Sequence, residues 1–509
     1  MKYIMGVDVG TSNIKAVLFD ESGEEIYVAS KVSETISSDN QETEQDMLLI
    51  WDKVEACIKE VMSSGKASKE ELIGLGVTAQ GEGCWLIDEK GEPVQNAILW
   101  CDGRAVKEVE EIVEEKPEVG EYFYKTTGTH PLTGTQMMQL KWMKNNRKDV
   151  LDSAKHLLFC KDWVRYKITG KINTELSDAI TSMVDVQSET INDELLKKLD
   201  LYDYRSYIPD PVHSDEVVAS VSDEFAERVG LNPGTPVIAG AIDVSATALG
   251  LGAIHENDAC VILGTTCAGE IILDKKDCDF GAPNTRFEKH PLGELFIELQ
   301  PTLNGTPNID WMIKTIAGTS DFAELDKIVD SAKVGCGGVI YHPYLSTAGE
   351  RAPFVHSYAR ASFFGISQVT EKKDLIRAVY EGLSLSIRDC LHKVDRSGTI
   401  FLAGGGAKSP VWCQMISDVM GMKIMVPAGG ELGAKGVALM VGVSQGLYKD
   451  YDEAVEKACK FVHHYEPNST NVKKYDLLFE LYKDLRIHYE QIWTHRHMMN
   501  KKIKAIEED

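Results

Sequence analysis

A strand, a glycine-threonine turn and a second strand occur twice in this 509-residue chain, about 250 residues apart. The first copy, Tyr3 to Asp20, reads YIMGVDVGTSNIKAVLFD. Tyr3–Val9 and Ile14–Phe19 are rich in β-branched and aliphatic residues, as buried strands are. The turn between them, Gly10-Thr11-Ser12, suits phosphate. Gly10 lets backbone approach a ligand closely, and Thr11 and Ser12 add hydroxyls beside exposed N–H groups. Asp8, at the end of the first strand, is placed to hold Mg²⁺ through water, an ion that prefers oxygen ligands and keeps several waters. Lys15 adds a positive charge one step into the second strand. The same residues also read as a plain hairpin with a polar turn.

The second copy separates those readings. Ala259 to Leu273, ACVILGTTCAGEIIL, repeats the pattern with Gly264 and Thr265 in the turn. That spacing is too long for a solenoid repeat and right for two similar domains. Two such hairpins on opposite walls of a cleft grip one triphosphate from both sides. In this respect the chain resembles the actin-like ATPases, which implies an α/β fold of two actin-like (ribonuclease H-like) domains with a cleft between them.

Composition agrees. A chain of this length exceeds a single hydrophobic core. The net charge of −25 argues against nucleic acid or an anionic membrane as partner, since both call for a basic surface. No run approaches 18 apolar residues, and the first residues enter a strand without a basic, then apolar, leader. The expectation is a cytoplasmic protein. Eleven scattered cysteines without a C-x-x-C pair read as reduced thiols, and no H-E-x-x-H supports a metallohydrolase.

Taken in order, Met47, Ile50, Trp51, Val54, Cys57, Ile58 and Val61 recur at helical spacing. Ser68 to Glu71 is a capping-box pattern that predicts a short helical turn. The strand Ile73–Thr78 ends in Gln80-Gly81-Glu82-Gly83, at the strand end where open α/β sheets place ligands. Gln80 and Glu82 offer an amide and a carboxylate to a polyhydroxylated substrate, or else form a polar turn. Trp100, Asp102 and Arg104 sit together at another strand end. Trp100 also reads as core, and Asp102 with Arg104 as a surface ion pair. Residues 105 to 200 are mostly helical. Asp243 follows the short strand Val237–Ala241 at a strand-to-helix junction, where an aspartate is most often an N-cap. A helix N-terminus keeps such a carboxylate ionised, so capping and catalysis are compatible. Thr399–Ala403, a glycine loop at 404–406, and Ser409-Pro410 opening a helix make a strand–loop–helix anion site. A long amphipathic helix runs from Tyr475 to Ile503.

Together these pieces resemble the FGGY carbohydrate kinases, which include xylulokinase, glycerol kinase, erythritol kinase and L-xylulose kinase. The most specific stretch is Ala361-Ser-Phe-Phe-Gly365-Ile, seven residues, then Asp374-Leu-Ile-Arg-Ala-Val-Tyr-Glu381, which matches the C-terminal signature at every defined position. The earlier signature, Gln136 to Trp142, keeps Leu140 and Trp142 but has Gln139 where lysine is usual. The resemblance implies an N-terminal domain over 1–246 with the sugar site and first phosphate loop. A C-terminal domain over 247–509 would bind ATP and end in the long helix. It further implies Asp8, Gly10, Thr11, Ser12 and Lys15 as the first phosphate loop, and Gly264 and Thr265 as the second. Gly405, Gly406 and Ala407 become the adenosine turn and Asp243 the catalytic base. Mg²⁺ would sit near Asp8 and Asp243, and Gln80, Glu82, Trp100, Asp102 and Asp243 would meet the substrate. A homodimer is allowed by analogy alone.

Xylulokinases usually carry Gln-Met-His-Gly where this chain has Gln80-Gly81-Glu82-Gly83. The acidic loop is more similar to the erythritol and L-xylulose kinase branches. The expected substrates are L-xylulose or a related pentulose first, erythritol or another short polyol second, and D-xylulose third. The reading from another class is a noncatalytic actin-superfamily protein that binds ATP as a switch.

Overall fold

The structure, a computed structural model, describes residues 1–282 and 285–508. The first hairpin forms as its residues predict: β1 (Tyr3–Val9) and β2 (Asn13–Asp20) pair antiparallel, with Asp8 opposite Lys15. Then β3 (Glu25–Val32) pairs with the far side of β2. Helix α1 (Met47–Ser63) buries the periodic residues Met47 to Val61, and Asp46 caps it by accepting from the N–H groups of Leu48 and Leu49. The Ser68–Glu71 pattern gives a turn and no helix. The Glu71 carboxylate accepts from the Ser68 N–H as the box requires, but strand β4 (Leu72–Ala79) begins at once, leaving no helical periodicity to cap.

Helices dominate 105 to 200, and two matter below: α2 (Cys160–Thr169) and the single turn α3 (Leu176–Ala179). Strands β5 (Val217–Ser220) and β6 (Pro236–Ile238) lead into α4 (Asp243–Leu251). Asp243 is not the N-cap of that helix. Ile242 holds that position, Asp243 is the first helical residue, and its carboxylate accepts from the adjacent Val244 N–H. The second hairpin is β7 (Ala259–Leu263) and β8 (Cys267–Asp274), followed by β9 (Arg286–Lys289). The chain continues through α5 (Lys372–Cys390), β10 (Thr399–Ala403) and α6 (Pro410–Met420), where Ser409 accepts from the Trp412 N–H as N-cap. The glycine loop expected at 404–406 runs into a 3₁₀ turn over Gly405–Lys408. Strand β11 (Lys423–Pro427), α7 (Leu432–Ser444), β12 (Phe461–Tyr465) and the 40-residue α8 (Ser469–Glu508) complete the chain.

These elements gather into two units: Met1–Ile254 with Asp274–Ile297 and Ala428–Lys460, and His255–Leu273 with Glu298–Pro427 and Phe461–Asp509. The first has a sheet ordered β5-β6-β4-β1-β2-β3, with β6, β4 and β1 parallel and antiparallel strands on both flanks. The sheet of the second includes the run β8-β7-β10-β11-β12, again with three parallel strands, β7, β10 and β11, between antiparallel neighbours. The duplicated hairpin is therefore part of a duplicated sheet. No helix of the described residues is long and apolar enough to cross a membrane. The eleven cysteines are free thiols, of which only Cys101 is exposed and Cys278 half-buried.

In the first unit α7 packs on both β1 and α4 with backbone nearly touching backbone. A Cβ on Gly436 would stand 1.8 Å from Ala246 O, one on Gly250 2.0 Å from Leu432 O, and one on Gly6 2.1 Å from Ala434 O. All three are far inside contact distance, so a methyl group forces the elements apart. Gly436→Ala is expected to destabilise the unit by about 1–3 kcal/mol or more, as overpacking does. Gly430→Ala, where nothing lies within 4 Å, should change stability by less than about 0.5 kcal/mol. Thermal unfolding of both variants beside the parent chain checks this, and equal melting of all three would contradict it.

Candidate active site

The first unit brings three sequence-predicted acids and amides to one sheet edge. In the parallel pair β1–β4, Asp8 lies opposite Thr78 and Val9 opposite Ala79, and Ala79 in turn bridges Ile242. Asp8, Gln80 and Asp243 thus arrive at the carboxyl ends of neighbouring parallel strands, the place where open α/β sheets bind ligands.

The Gly10–Ser12 turn joins Trp100 and Gln80 through one hydrogen-bond chain. Trp100 Nε1 donates to Thr11 Oγ1 at 3.0 Å, and Thr11 Oγ1 donates to Gln80 Oε1 at 2.9 Å. Gln80 Nε2 donates to Gln45 Oε1 at 2.7 Å, and Gln45 Nε2 donates to Thr11 O at 3.1 Å and Ser33 Oγ at 2.7 Å. Gln45 and Ser33 were not singled out from sequence. Trp100 is 49% exposed, so it is not core. Lys15 pairs with Glu431 at 2.7 Å. Asp102 and Arg104 are buried and make no surface pair. Asp102 accepts from the Thr43 N–H and from the backbone N–H, Nε and Nη2 of Arg104, which engages both of its oxygens within its own loop.

Glu82 is held in an uncommon conformation. Its φ is +55°, in the left-handed region that costs an ordinary residue about 1–2 kcal/mol. Its N–H donates to Asp178 Oδ1 at 3.0 Å. Gly81 is forced to be small, because a Cβ there would stand 2.0 Å from Ile242 Cδ1. Asp178 in turn pairs through Oδ2 with Lys161 Nζ at 2.7 Å. Lys161 also pairs with Asp162 at 3.2 Å and Glu175 at 3.3 Å, and all four side chains are fully buried. Ser177 Oγ donates to Glu175 Oε2 and accepts from the Ile242 N–H, next to Asp243. One buried ammonium therefore anchors both the Glu82 loop and the start of α4.

Two residues missed in the sequence complete the cluster. Strand β9 presents Arg286 and Glu288 on the face toward Glu82, while Phe287 packs on Phe280 and Lys289 pairs with Glu189. Arg286 Nη2 lies 3.3 Å from Glu82 Oε1 and 3.2 Å from Glu288 Oε1. The signal was an Arg-x-Glu alternation in a strand, which reads equally well as a solvated edge.

Burial sets the protonation of this cluster. It pushes the Asp243 carboxyl up to about 7; Asp8 and Asp178 add to the rise, and the Val244 N–H and Arg286 oppose it. The helix N-terminus does not keep this carboxylate in its usual range, because desolvation outweighs a single N–H donor. Burial likewise lifts Asp8 to about 6 against Lys15, and Glu288 to about 7 against Arg286. Burial pulls Lys161 down, and its carboxylates more than offset that, leaving it above the ordinary lysine value.

Mg²⁺ fits the Asp8 and Asp243 pair in donor chemistry. Both are oxygen donors, the Asp8 charge adds to the negative potential at Asp243, and a hard divalent cation with its own waters relieves that. Among the described residues no group of three or more histidines, cysteines or acids is arranged to hold a metal ion.

In the second unit β7 and β10 run parallel with Ile262 beside Ala403, so the turns after them are neighbours. Gly264 N–H donates to the carbonyls of Ile262 and Thr266, and Thr306 N–H donates back to Gly264 O at 2.8 Å. A Cβ on Gly404 would meet Leu263 O at 2.7 Å, and one on Gly406 the Trp412 ring at 2.5 Å, whereas Gly405 opens onto free space. Ala407 is buried beneath. Gly264, Thr265, Gly405 and Gly406 thus share one edge, with Gly405 as its open face.

Comparison with known proteins decides the family. The N-terminal domain of the FGGY family of carbohydrate kinases matches residues 3–250, and its C-terminal domain matches residues 259–444. This chain belongs to the FGGY carbohydrate kinases. It is therefore a phosphotransferase with an alcohol group as acceptor, in a family that takes its phosphate from ATP. It is 28% identical to an erythritol kinase of Brucella abortus, over 96% of this chain and 97% of that one. It is 29% identical to an L-xylulose/3-keto-L-gulonate kinase of Escherichia coli, over 95% and 96%. The fold matches a crystal structure of xylulose kinase from Rhodospirillum rubrum with a TM-score of 0.86 at 23% identity, covering 97% of this chain and 100% of the other.

For this FGGY kinase the anchor on Lys161 generates a test. Lys161→Met leaves Glu175 and Asp178 buried without their cation, while Asp162 keeps Arg165 at 3.0 Å; the loss is expected to cost about 3–5 kcal/mol. Protonation relieves stranded carboxylates, so the deficit should shrink as pH falls. Denaturant unfolding at neutral and mildly acidic pH reads both effects, and a deficit that grows on acidification would refute the anchoring role.

Proposed function

We propose that this FGGY kinase transfers the γ-phosphate of ATP to a terminal hydroxyl of L-xylulose or a related pentulose. The observation that carries the reading is Glu82, a buried carboxylate held at positive φ beside Asp178 and Arg286. An acceptor-only group in that place takes hydrogen bonds from neighbouring hydroxyls. Its loop also differs from the Gln-Met-His-Gly expected of D-xylulose enzymes. Erythritol is the second reading, favoured by the same carboxylate and by the likeness to an erythritol kinase, and D-xylulose the third.

In this reading the terminal hydroxyl lies against Asp243. Its proton passes to the Asp243 carboxylate as the hydroxyl oxygen attacks the γ-phosphorus and the bond to the β-phosphate oxygen breaks, releasing ADP. A base with a value near 7 is matched to neutral conditions, where about half of it is ionised and that form is basic enough to accept a proton. Gly10, Thr11, Ser12 and Lys15 would bind phosphate, with Lys15 exchanging Glu431 for phosphate oxygens. Gly264 and Thr265 would also bind phosphate, and Gly405, Gly406 and Ala407 would seat the adenosine. Asp8 and Asp243 would hold Mg²⁺, which when bound supplies charge neutralisation at the phosphates. Phosphoryl transfer depends mainly on such positioning and electrostatics.

A coupled ADP-release screen across pentuloses, pentitols and tetritols tests the reading. L-xylulose is expected to give the highest kcat/KM. A higher value on D-xylulose overturns the substrate ranking, and ADP release independent of any sugar overturns the kinase reading. Asp243→Asn should lose about 10²–10⁴-fold in kcat while retaining ADP binding. Because burial raises the Asp243 value, the base form is lost as pH falls through about 7. The kcat/KM of the parent enzyme should fall with one-proton slope on that side, and a flat profile down to pH values well below would exclude Asp243 as the base.

A further inference from the structure

Two buried polar atoms in the carboxylate cluster, Arg286 Nε and Glu288 Oε2, make no hydrogen bond, and a third, Glu82 Oε1, has only its 3.3 Å ion pair with Arg286 Nη2. Buried polar groups are ordinarily paired, and each exception is costly. These three belong to side chains already gathered around one guanidinium. Arg286 Nη2 is shared between Glu82 and Glu288, while its Nε–H has no acceptor. Glu82 is 5% exposed and Glu288 1%. Asp243 lies within electrostatic reach of Arg286 and Glu288.

We propose that Arg286 and Glu288 act with Glu82 as the specificity residues of this kinase, and that the three take a neutral ketose or polyol and reject a sugar acid. The proposal rests on the kinase reading above and names the substrate class within it. These under-satisfied atoms are two acceptors and one donor. A neutral polyhydroxylated substrate answers them with two O–H donors, to Glu82 Oε1 and Glu288 Oε2, and one carbonyl or hydroxyl oxygen, to Arg286 Nε. A carboxylate does not. It binds arginine best through two parallel N–H groups, and here Nη2 is already committed to two glutamates. It would also join Asp8, Asp243, Glu82 and Glu288, where Arg286 is already shared between the two glutamates and Lys15 is already paired with Glu431. A site built around unpaired polar groups discriminates strongly against a ligand that leaves them unpaired.

The experiment measures turnover by coupled ADP release and, separately, sugar binding by calorimetry, with L-xylulose, erythritol and D-gluconate as probes. The enzymes are the parent chain, Glu288→Gln and Arg286→Lys. The lysine keeps a cation between the glutamates but lacks the Nε–H, and melting curves confirm that both variants fold. The parent is expected to bind its better neutral substrate at least about 100-fold more tightly than D-gluconate. Each variant should weaken neutral-sugar binding about 10-fold or more while ADP binding stays within about twofold. Glu288→Gln should also narrow the gap to D-gluconate. If the parent binds D-gluconate as well as the neutral sugars, or both variants bind neutral sugar like the parent, the proposal is wrong even where sugar phosphorylation proceeds. If neutral sugars bind as expected but are not phosphorylated, the kinase reading fails and the specificity set stands. If no sugar binds, both fall.

Discussion

The site in the first unit depends on a lysine that no ligand need touch. Lys161 is wholly buried among Asp162, Glu175 and Asp178. Removing one charge from such a group leaves the others uncompensated in a poorly polarisable interior, which costs far more than the net worth of the group. With Arg165 also paired to Asp162, each member of the network is held by more than one partner, which makes it a firm support. From Asp178 it fixes the backbone of Glu82, and through Glu175 and Ser177 it fixes the backbone just before Asp243. The loop that would read the sugar and the carboxylate that would take its proton share one foundation.

The chemistry around that foundation is governed by desolvation more than by pairing. Asp8, Asp243 and Glu288 sit where burial lifts their values, and their neighbours recover only part of the shift. Carboxylates in this condition are basic and repel further negative charge. The first property suits proton abstraction from an alcohol. The second favours a neutral acceptor, and it calls for cations when a polyphosphate approaches. One electrostatic setting thus bears on the base, the acceptor and the need for a counter-ion together.

Much of this was legible in the sequence, and the part that was not has a common cause. Both hairpins are written locally: a glycine turn between β-branched runs leaves few alternatives. The apolar spacing of Met47 to Val61 is equally local, as is the Gln80–Gly83 strand end. Asp243 was found by position but misjudged in state, because the helix-terminus rule describes a solvated end and this end is enclosed. Asp102 with Arg104 looked like a surface pair because two opposite charges two residues apart usually are one. Its burial depends on Thr43 and Glu44, some sixty residues earlier. Arg286 and Glu288 were missed since an alternating charged strand is the pattern of a solvated edge. Only the return of Glu82, some two hundred residues earlier in the chain, turns that edge inward.

The glycine contacts among α4, α7 and β1 divide the molecule by how freely it can vary. Asp243 and Asp8 begin or end elements whose backbones touch, where even one added methyl group collides with a carbonyl. Arg286 and Glu288 stand on a four-residue strand outside that contact. If these side chains read the acceptor, a lineage would change its substrate by exchanging Glu82, Arg286 and Glu288 in compensating sets, since they are charged against one another, while the packed backbones are inherited unaltered.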